Sequence, residues 1–92
     1  MSESFEAILT IENELGLHAR AATLFVQVAS QYKAEVFVAK DGREANGKSI
    51  MGILTLVAAK GSQIAVRAEG EDAEQAVIAI AELVASKFME SR

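Results

Sequence analysis

The single histidine of this 92-residue chain, His18, lies in a segment whose residue types suit phosphoryl chemistry. Gly16 permits a tight turn, and the residues over 19–30 have helical spacing, so His18 is predicted to lie over the first turn of a helix. Unpaired N–H groups and the positive end of the helix dipole favour an anion there. Arg20 adds a planar guanidinium that suits phosphate oxygens. The spacing therefore indicates a ring nitrogen that accepts a phosphoryl group.

A second interpretation of the same residues is purely structural. His18 at a helix start is also typical of a capping or surface histidine, and Arg20 of a solvated helix residue. In the chemical interpretation, a neutral imidazole carries one unprotonated nitrogen that can attack phosphorus, and Arg20 steadies the phosphoryl oxygens. The spacing alone leaves both interpretations open.

Four strands and three helices are predicted around these residues. Apolar and polar residues alternate over 5–11, 34–39 and 63–68, and a return strand is expected over 43–46. Asp41-Gly42 predicts a two-residue hairpin turn between the second and third strands. Helices are expected over 19–30, 49–57 and 73–89, the last with Asp72 as N-cap and Gln75 three residues later.

This order of elements predicts the fold class. A β-α-β-β-α-β-α order with a hairpin is best satisfied by an α+β open-faced sandwich, in which three helices cover one face of a four-stranded antiparallel sheet. The chain has no linker or evident repeat, and its length fits a single domain over 1–92.

Composition argues against several classes of function. The formal net charge of −4 argues against a nucleic-acid binder and against a basic membrane patch. No apolar run approaches the roughly 20 residues that span a bilayer, and the first four residues lack the features of a secretory signal. With no Cys and one His, neither a metal site nor a cofactor site is expected, and a reducing, cytoplasmic location is expected.

Two motifs carry a resemblance to a known family. Gly16-Leu17-His18-Ala19-Arg20-x-Ala22-Thr23 resembles the active-site signature of the HPr family, the histidine-containing phosphocarriers of the bacterial phosphoenolpyruvate-dependent phosphotransferase system. Lys48-Ser49-Ile50-Met51-Gly52 resembles the family's regulatory serine segment, and the similarity runs over 5–88. The resemblance implies the strand order 1-4-2-3 and phosphorylation of the δ nitrogen of His18, with Arg20 assisting.

The chain departs from the family pattern at Ala21, where the family usually has proline. Proline is tolerated in the first turn of a helix and stiffens it, whereas alanine allows the same helix and restores an N–H. The departure bears on the pose of His18 and Arg20 and on the transfer rate, but it removes no chemical group that the reaction needs.

Ser49 is expected to cap the second helix, and the resemblance adds a regulatory role. A serine cap stabilises a helix by about 1 kcal/mol. In many relatives HPr kinase/phosphorylase modifies this serine, and in many others it is never modified. On the second helix, Ile53, Leu54 and Val57 are expected to cover the sheet, which leaves Ile50 and Met51 as candidates for exposure. The resemblance implies a docking face for partners that comprises Leu24, Ile50, Met51 and Gly52.

Two functions, which belong to different classes of protein, are compatible with the sequence. The first, which the resemblance implies, is a monomeric phosphocarrier, not itself an enzyme, that takes a phosphoryl group from enzyme I and passes it to enzyme IIA-type acceptors. Within that function, the sugar-uptake branch and the nitrogen-related branch are both open. The second is a regulatory interaction module that acts through Ser49 and the Ile50–Met51 face with little phosphotransfer.

Overall fold

The computed structural model describes residues 3–90, which form a four-stranded antiparallel sheet with three helices. The strands are β1 (Ser4–Thr10), β2 (Glu35–Lys40), β3 (Arg43–Asn46) and β4 (Gln63–Glu69), and the helices are α1 (Ala19–Ala29), α2 (Ile50–Leu54) and α3 (Ala73–Ala85). The sheet order is β1-β4-β2-β3. The predicted open-faced α+β sandwich is confirmed, as is the strand order that the family resemblance implied.

The core lies between the helices and one face of the sheet. Val38 of β2 lies opposite Val66 of β4 and Ala45 of β3, so the inward residues of adjacent strands share one layer. Because strand side chains alternate between the two faces, alternate residues are buried: Val36 and Val38 in β2, and Ile64, Val66 and Ala68 in β4. The largest fully buried apolar side chains come from β2, β4, the three helices and the first loop: Ile11, Phe25, Val36, Val38, Ile53, Ile64, Val66 and Ile80.

The hairpin between β2 and β3 has the predicted two-residue turn. Asp41 and Gly42 have φ values of 53° and 82°, as a type I′ turn requires at both central positions. This turn matches the right-handed twist of the flanking strands, and it sets the register in which Lys40 lies opposite Arg43.

The second helix is shorter than the sequence predicts. It ends at Leu54, and Val57 follows it with a φ of 51° and 74% of its surface exposed. The expectation that Val57 covers the sheet is wrong, whereas Ile53 is fully buried as expected. Val57 is three residues beyond Leu54, and its left-handed backbone directs its side chain away from the sheet. A β-branched residue rarely adopts this conformation.

Asp72 occupies the expected position before α3 but does not cap it. Its side chain makes no hydrogen bond to the first turn of α3. Instead the two carboxylate oxygens accept the backbone N–H groups of Lys33 and Ala34, at 2.9 and 2.8 Å, just before β2. These bonds, that of Lys33 first, lower the pKa of the Asp72 carboxyl. Asp72 thus occupies the predicted N-cap position without the side-chain hydrogen bond expected of a cap, because its carboxylate bonds a segment that is distant in sequence.

The third helix ends at Ala85 and not near Met89. Lys87, Phe88 and Met89 follow with φ values of 59°, 56° and 58°, which form one left-handed turn. Phe88 is buried, but it reaches the core from this turn and not from the face of a helix that continues to Met89. The chain consequently changes direction after α3 instead of continuing along the helix axis.

Candidate functional site

The loop between β1 and α1 is held against the segment that follows α2. The Leu17 N–H donates to the Ala58 carbonyl at 2.8 Å, and the Gly61 N–H donates to the Ile11 carbonyl at 2.7 Å. Gly16 lies so close to this segment, at a φ of 67°, that an added Cβ would be 2.5 Å from the Ala58 oxygen. The Gly16 position therefore requires glycine for two reasons, its positive φ and the close backbone approach.

His18 is the N-cap residue of α1. Its backbone is extended, with φ −83° and ψ −177°, and its carbonyl accepts the first helical hydrogen bond, from the Ala22 N–H at 2.8 Å. Nδ1 of its ring accepts a hydrogen bond from the Arg20 N–H at 3.2 Å. The His18 side chain is 28% exposed. The structural and chemical interpretations of this histidine are thus compatible, because the same ring nitrogen caps the helix and faces its N terminus.

The other ring nitrogen of His18 meets a carboxylate that sequence reasoning missed. Nε2 lies 2.9 Å from the Glu90 carboxylate, which also accepts a hydrogen bond from the Asn13 side chain at 3.1 Å. The hydrogen bond from His18 is the main cause that lowers the pKa of Glu90, and Asn13 and the charge of Arg20 act in the same direction. No short-range pattern indicates this contact, since Glu90 is 72 positions from His18.

Arg20 lies exposed in the first turn of α1. Within the described residues 3–90, its guanidinium makes no hydrogen bond or ion pair with another side chain. Its charge nevertheless contributes to lowering the pKa of the Glu90 carboxyl. The site therefore combines an imidazole, an adjacent cation and helix N-terminal N–H groups, which together can bind an anionic group.

Ser49 caps α2, as expected from the sequence. Its Oγ accepts the Gly52 N–H at 3.0 Å, and its backbone is extended. Ile50 and Met51 follow at the solvent-facing side of α2, 38% and 73% exposed, so their predicted exposure is confirmed. Gly52 and Leu24 are partly buried. Helices α1 and α2 are in contact, which places these residues on neighbouring elements of the same layer.

Further exposed apolar side chains adjoin the loops around His18. Leu15 belongs to the His18 loop, Val57 precedes Ala58, and Met89 precedes Glu90; all three are more than half exposed. Each is next in sequence to a residue that takes part in the hydrogen bonds around the site or in the close approach at Gly16. Leu15, Val57 and Met89 are therefore exposed apolar side chains, in addition to Ile50 and Met51, on segments that take part in building the site.

Two other properties of the described residues bear on function. Over residues 3–90, no group of three or more His, Asp or Glu side chains is arranged to hold a metal ion. In that same part of the chain, none of the helices has the length and apolar character needed to cross a bilayer.

Comparison with known proteins gives consistent relatives over nearly the whole chain. A family model described as the PTS HPr component phosphorylation site matches residues 5–86. The phosphocarrier protein HPr of Neisseria meningitidis is 48% identical over 82 residues, which are 89% of this chain and 92% of that protein. The HPr-like protein Crh of Bacillus subtilis is 44% identical over 69 residues, 75% of this chain and 81% of Crh.

Solved structures agree with these relatives. A crystal structure of HPr from Thermoanaerobacter tengcongensis superposes with a TM-score of 0.92 at 44% identity, and the match covers 96% of this chain and 99% of that one. A second structure from the same organism is described as an HPr dimer, with a TM-score of 0.76 and 46% identity over 89% of this chain and 94% of that one. The family match, the high identity over most of the length and the shared fold together show that this chain belongs to the HPr family of phosphocarrier proteins of the phosphotransferase system.

Proposed function

We propose that this protein accepts a phosphoryl group on Nδ1 of His18 from phosphorylated enzyme I and passes it to an enzyme IIA-type acceptor. The observation that carries the proposal is the orientation of the ring, in which Nδ1 faces the N terminus of α1 and the side chain is partly exposed. A phosphoryl group at this nitrogen would lie where backbone N–H groups and the helix dipole favour negative charge.

The transfer is a single displacement in each direction. The lone pair of Nδ1 forms a bond to phosphorus while the bond from phosphorus to the donor's nitrogen breaks, and the donor keeps the bonding electrons. The Arg20 guanidinium, exposed and two residues from His18, would balance the charge on the phosphoryl oxygens as they move between the rings. Between the two transfers the protein holds the phosphoryl group covalently, and its partner enzymes catalyse both steps, so it acts as a carrier and a substrate of its partners and not as an enzyme.

Docking of these partners is proposed on the face that includes Leu24, Ile50, Met51 and Gly52. Exposed Met51 supports this assignment, because a flexible thioether side chain adapts to partners of different shape. Regulatory phosphorylation of Ser49, by an enzyme of the HPr kinase/phosphorylase type, would add about two negative charges beside this face. A single domain over 1–92, a monomeric state and a cytoplasmic location complete the proposal.

A second candidate is a regulatory module with little phosphotransfer. The similarity to the HPr-like protein Crh favours it, as does the position of Ser49 beside exposed Ile50 and Met51. The presence of both His18 and Arg20 favours the carrier, because a module acting only through Ser49 needs neither residue.

One experiment separates the two candidates. The protein is incubated with phosphoenolpyruvate and enzyme I, and its intact mass is measured before and after acid treatment. The carrier predicts a gain of one phosphoryl group that acid removes, because a phosphorus–nitrogen bond on imidazole is labile. An unchanged mass would support the regulatory module.

A further inference from the structure

We propose that Glu90 and Asn13 are positioning residues that hold the His18 ring with its proton on Nε2 and its lone pair on Nδ1. The inference rests on the proposed function, and it names the groups that select the reacting nitrogen. His18, Asn13 and Glu90 come from three separate parts of the chain, the start of α1, the loop before it and the segment after α3.

The contact between Glu90 and His18 defines which ring nitrogen carries the proton. An ionised carboxylate only accepts hydrogen bonds, so the 2.9 Å contact with Nε2 requires the proton to be on Nε2. The same contact lowers the pKa of Glu90, which keeps the carboxylate ionised near neutral pH.

The contact at the second ring nitrogen, Nδ1, indicates the same tautomer independently. Nδ1 lies 3.2 Å from the Arg20 backbone N–H, which can only donate, so Nδ1 must supply a lone pair. Two contacts on opposite sides of the ring therefore agree on one tautomer. In this arrangement the lone pair faces the α1 N terminus, where the phosphoryl group is proposed to bind.

Asn13 orients the carboxylate. It is the one fully buried polar side chain of the described residues, and its Nδ2 donates to the Gly16 carbonyl at 2.8 Å as well as to Glu90 at 3.1 Å. The buried Oδ1 has no partner within residues 3–90. Rotating the amide by 180° would set Oδ1 against two oxygens, so the observed orientation is the favourable one, although it leaves Oδ1 unsatisfied.

The backbone after α3 brings Glu90 to this position. Three successive residues with left-handed φ end the path of α3, and within them Phe88 is anchored in the core with 2% of its surface exposed. The Ser86 Oγ accepts the Met89 N–H at 3.3 Å and so supports the turn. Left-handed backbone is unfavourable for residues other than glycine, and such strain tends to be concentrated where a structure serves a function.

The arrangement has a consequence for the transfer step. When Nδ1 attacks phosphorus and the donor keeps the bonding electrons, the His18 ring gains one positive charge while its proton stays on Nε2. Glu90 would stabilise that charge through the same hydrogen bond, and the charge is lost again when the phosphorus–nitrogen bond breaks in the onward transfer.

The test compares Glu90→Ala with Glu82→Gln and the unmodified protein. Glu82 is an exposed residue in the C-terminal half of α3. Glu82→Gln also removes one negative charge, away from the His18 ring, and so serves as the control for the change in charge. We expect a proton resonance of the His18 Nε2–H, protected from exchange with water, in the unmodified protein and in Glu82→Gln, and its loss in Glu90→Ala. Phosphorylation of His18 by enzyme I should slow roughly tenfold in Glu90→Ala and not in Glu82→Gln, since losing the carboxylate that orients a functional histidine typically costs about 10- to 100-fold.

Two further variants, Glu90→Gln and Asn13→Ala, separate the contribution of the Glu90 charge to transfer from those of its hydrogen bond and of Asn13. Glu90→Gln keeps an acceptor for Nε2–H but removes the charge, so the resonance should persist while transfer slows. Asn13→Ala should weaken the resonance without changing residue 90. A ring proton that is unchanged in Glu90→Ala, or an unchanged transfer rate in that variant, would overturn the inference. Failure of the unmodified protein to be phosphorylated would instead overturn the proposed function. The Nε2–H resonance is measured without phosphorylation, so it tests the role of Glu90 separately from the transfer of a phosphoryl group.

Discussion

The N termini of α1 and α2 have similar N-cap residues, but they differ in the hydrogen bonds that link each N-cap and its loop to distant segments. His18 and Ser49 both have extended backbone, and the side chain of each accepts one N–H from the helix that follows it. His18, however, is also bonded to Glu90, and its loop is bonded to the Ala58 segment. The hydrogen bonds to Ser49 in residues 3–90 all come from within four residues of it in sequence.

This difference separates two ways of presenting a phosphate acceptor. The His18 ring is held on both sides, which suits a nucleophile that must present one nitrogen in one direction. Ser49 is held by a local cap on a five-residue helix, beside exposed apolar side chains, which suits a residue whose modification changes a surface. Substitutions at the His18 site should therefore alter transfer, and substitutions at the Ser49 site should alter docking.

The largest effect is expected for His18→Ala. Phosphoenolpyruvate-dependent labelling should be lost completely, since the chain has no second histidine. Loss of the N-cap should cost about 1 kcal/mol of the free energy of unfolding, so the protein should remain folded. Intact-mass measurement together with urea unfolding checks both expectations. Labelling that persists in this variant would show that His18 is not the residue that accepts the phosphoryl group.

Arg20→Ala should slow transfer more than it weakens docking. A guanidinium beside the phosphoryl group acts where charge is rearranged, and removing a comparable group from an enzyme active site costs on the order of 100-fold in rate. Rapid-quench kinetics and titration calorimetry with enzyme I measure the two quantities. An unchanged transfer rate with a weaker complex would show that Arg20 is a docking residue, like those proposed near Ser49.

Paired glycine substitutions compare the two sites by stability. Gly16→Ala should cost about 3 kcal/mol, because its φ of 67° is unfavourable for alanine and its Cβ would clash with the Ala58 carbonyl. Gly52→Ala should change stability by less than about 1 kcal/mol, since a better helix residue offsets a 3.2 Å contact with the Ser49 Oγ. Urea unfolding measures both. Equal losses would show that the His18 loop depends no more on tertiary contacts than α2 does.

Ser49→Asp should preserve stability but weaken docking. Aspartate is a good N-cap and its charge suits the helix N terminus, so the melting temperature should be unchanged or slightly higher. The same charge beside the proposed docking face should weaken binding to enzyme I roughly tenfold and slow labelling of His18. Ser49→Ala, which lacks the charge, is the control for the loss of the hydroxyl. Normal binding combined with lower stability would mean that α2 is not the docking face.

The smallest effect is expected for Ala21→Pro. Ala21 is the third residue of α1, where a missing N–H costs little, so stability should change by less than about 1 kcal/mol and transfer by less than about threefold. Ala22→Pro is the matched control at a second fully buried alanine, and it should cost about 3 kcal/mol because the Ala22 N–H donates to the His18 carbonyl. Thermal unfolding of both variants tests whether α1 begins at Ala19.

Much of the fold could be predicted because its signals are local. Alternation of apolar residues identified the strands, and Asp41-Gly42 identified the hairpin, since both depend on neighbours within a few positions. The errors fell where long-range contacts override local preference. Asp72 has the residue type of a helix cap, yet it bonds Lys33 and Ala34. The 73–89 segment has helical spacing, yet burial of Phe88 is achieved by a left-handed turn.

The same division applies to the site. Residue type and spacing were enough to find His18, Arg20 and Ser49 and to place each at a helix start, because capping depends on a few adjacent residues. Asn13 and Glu90 are 77 positions apart, and no periodicity relates them to His18. Only packing of the segment after α3 against the loop before α1 brings a carboxylate to Nε2. The identity of the candidate nucleophile is therefore a property of local sequence, whereas the direction in which its lone pair points depends on contacts between distant segments.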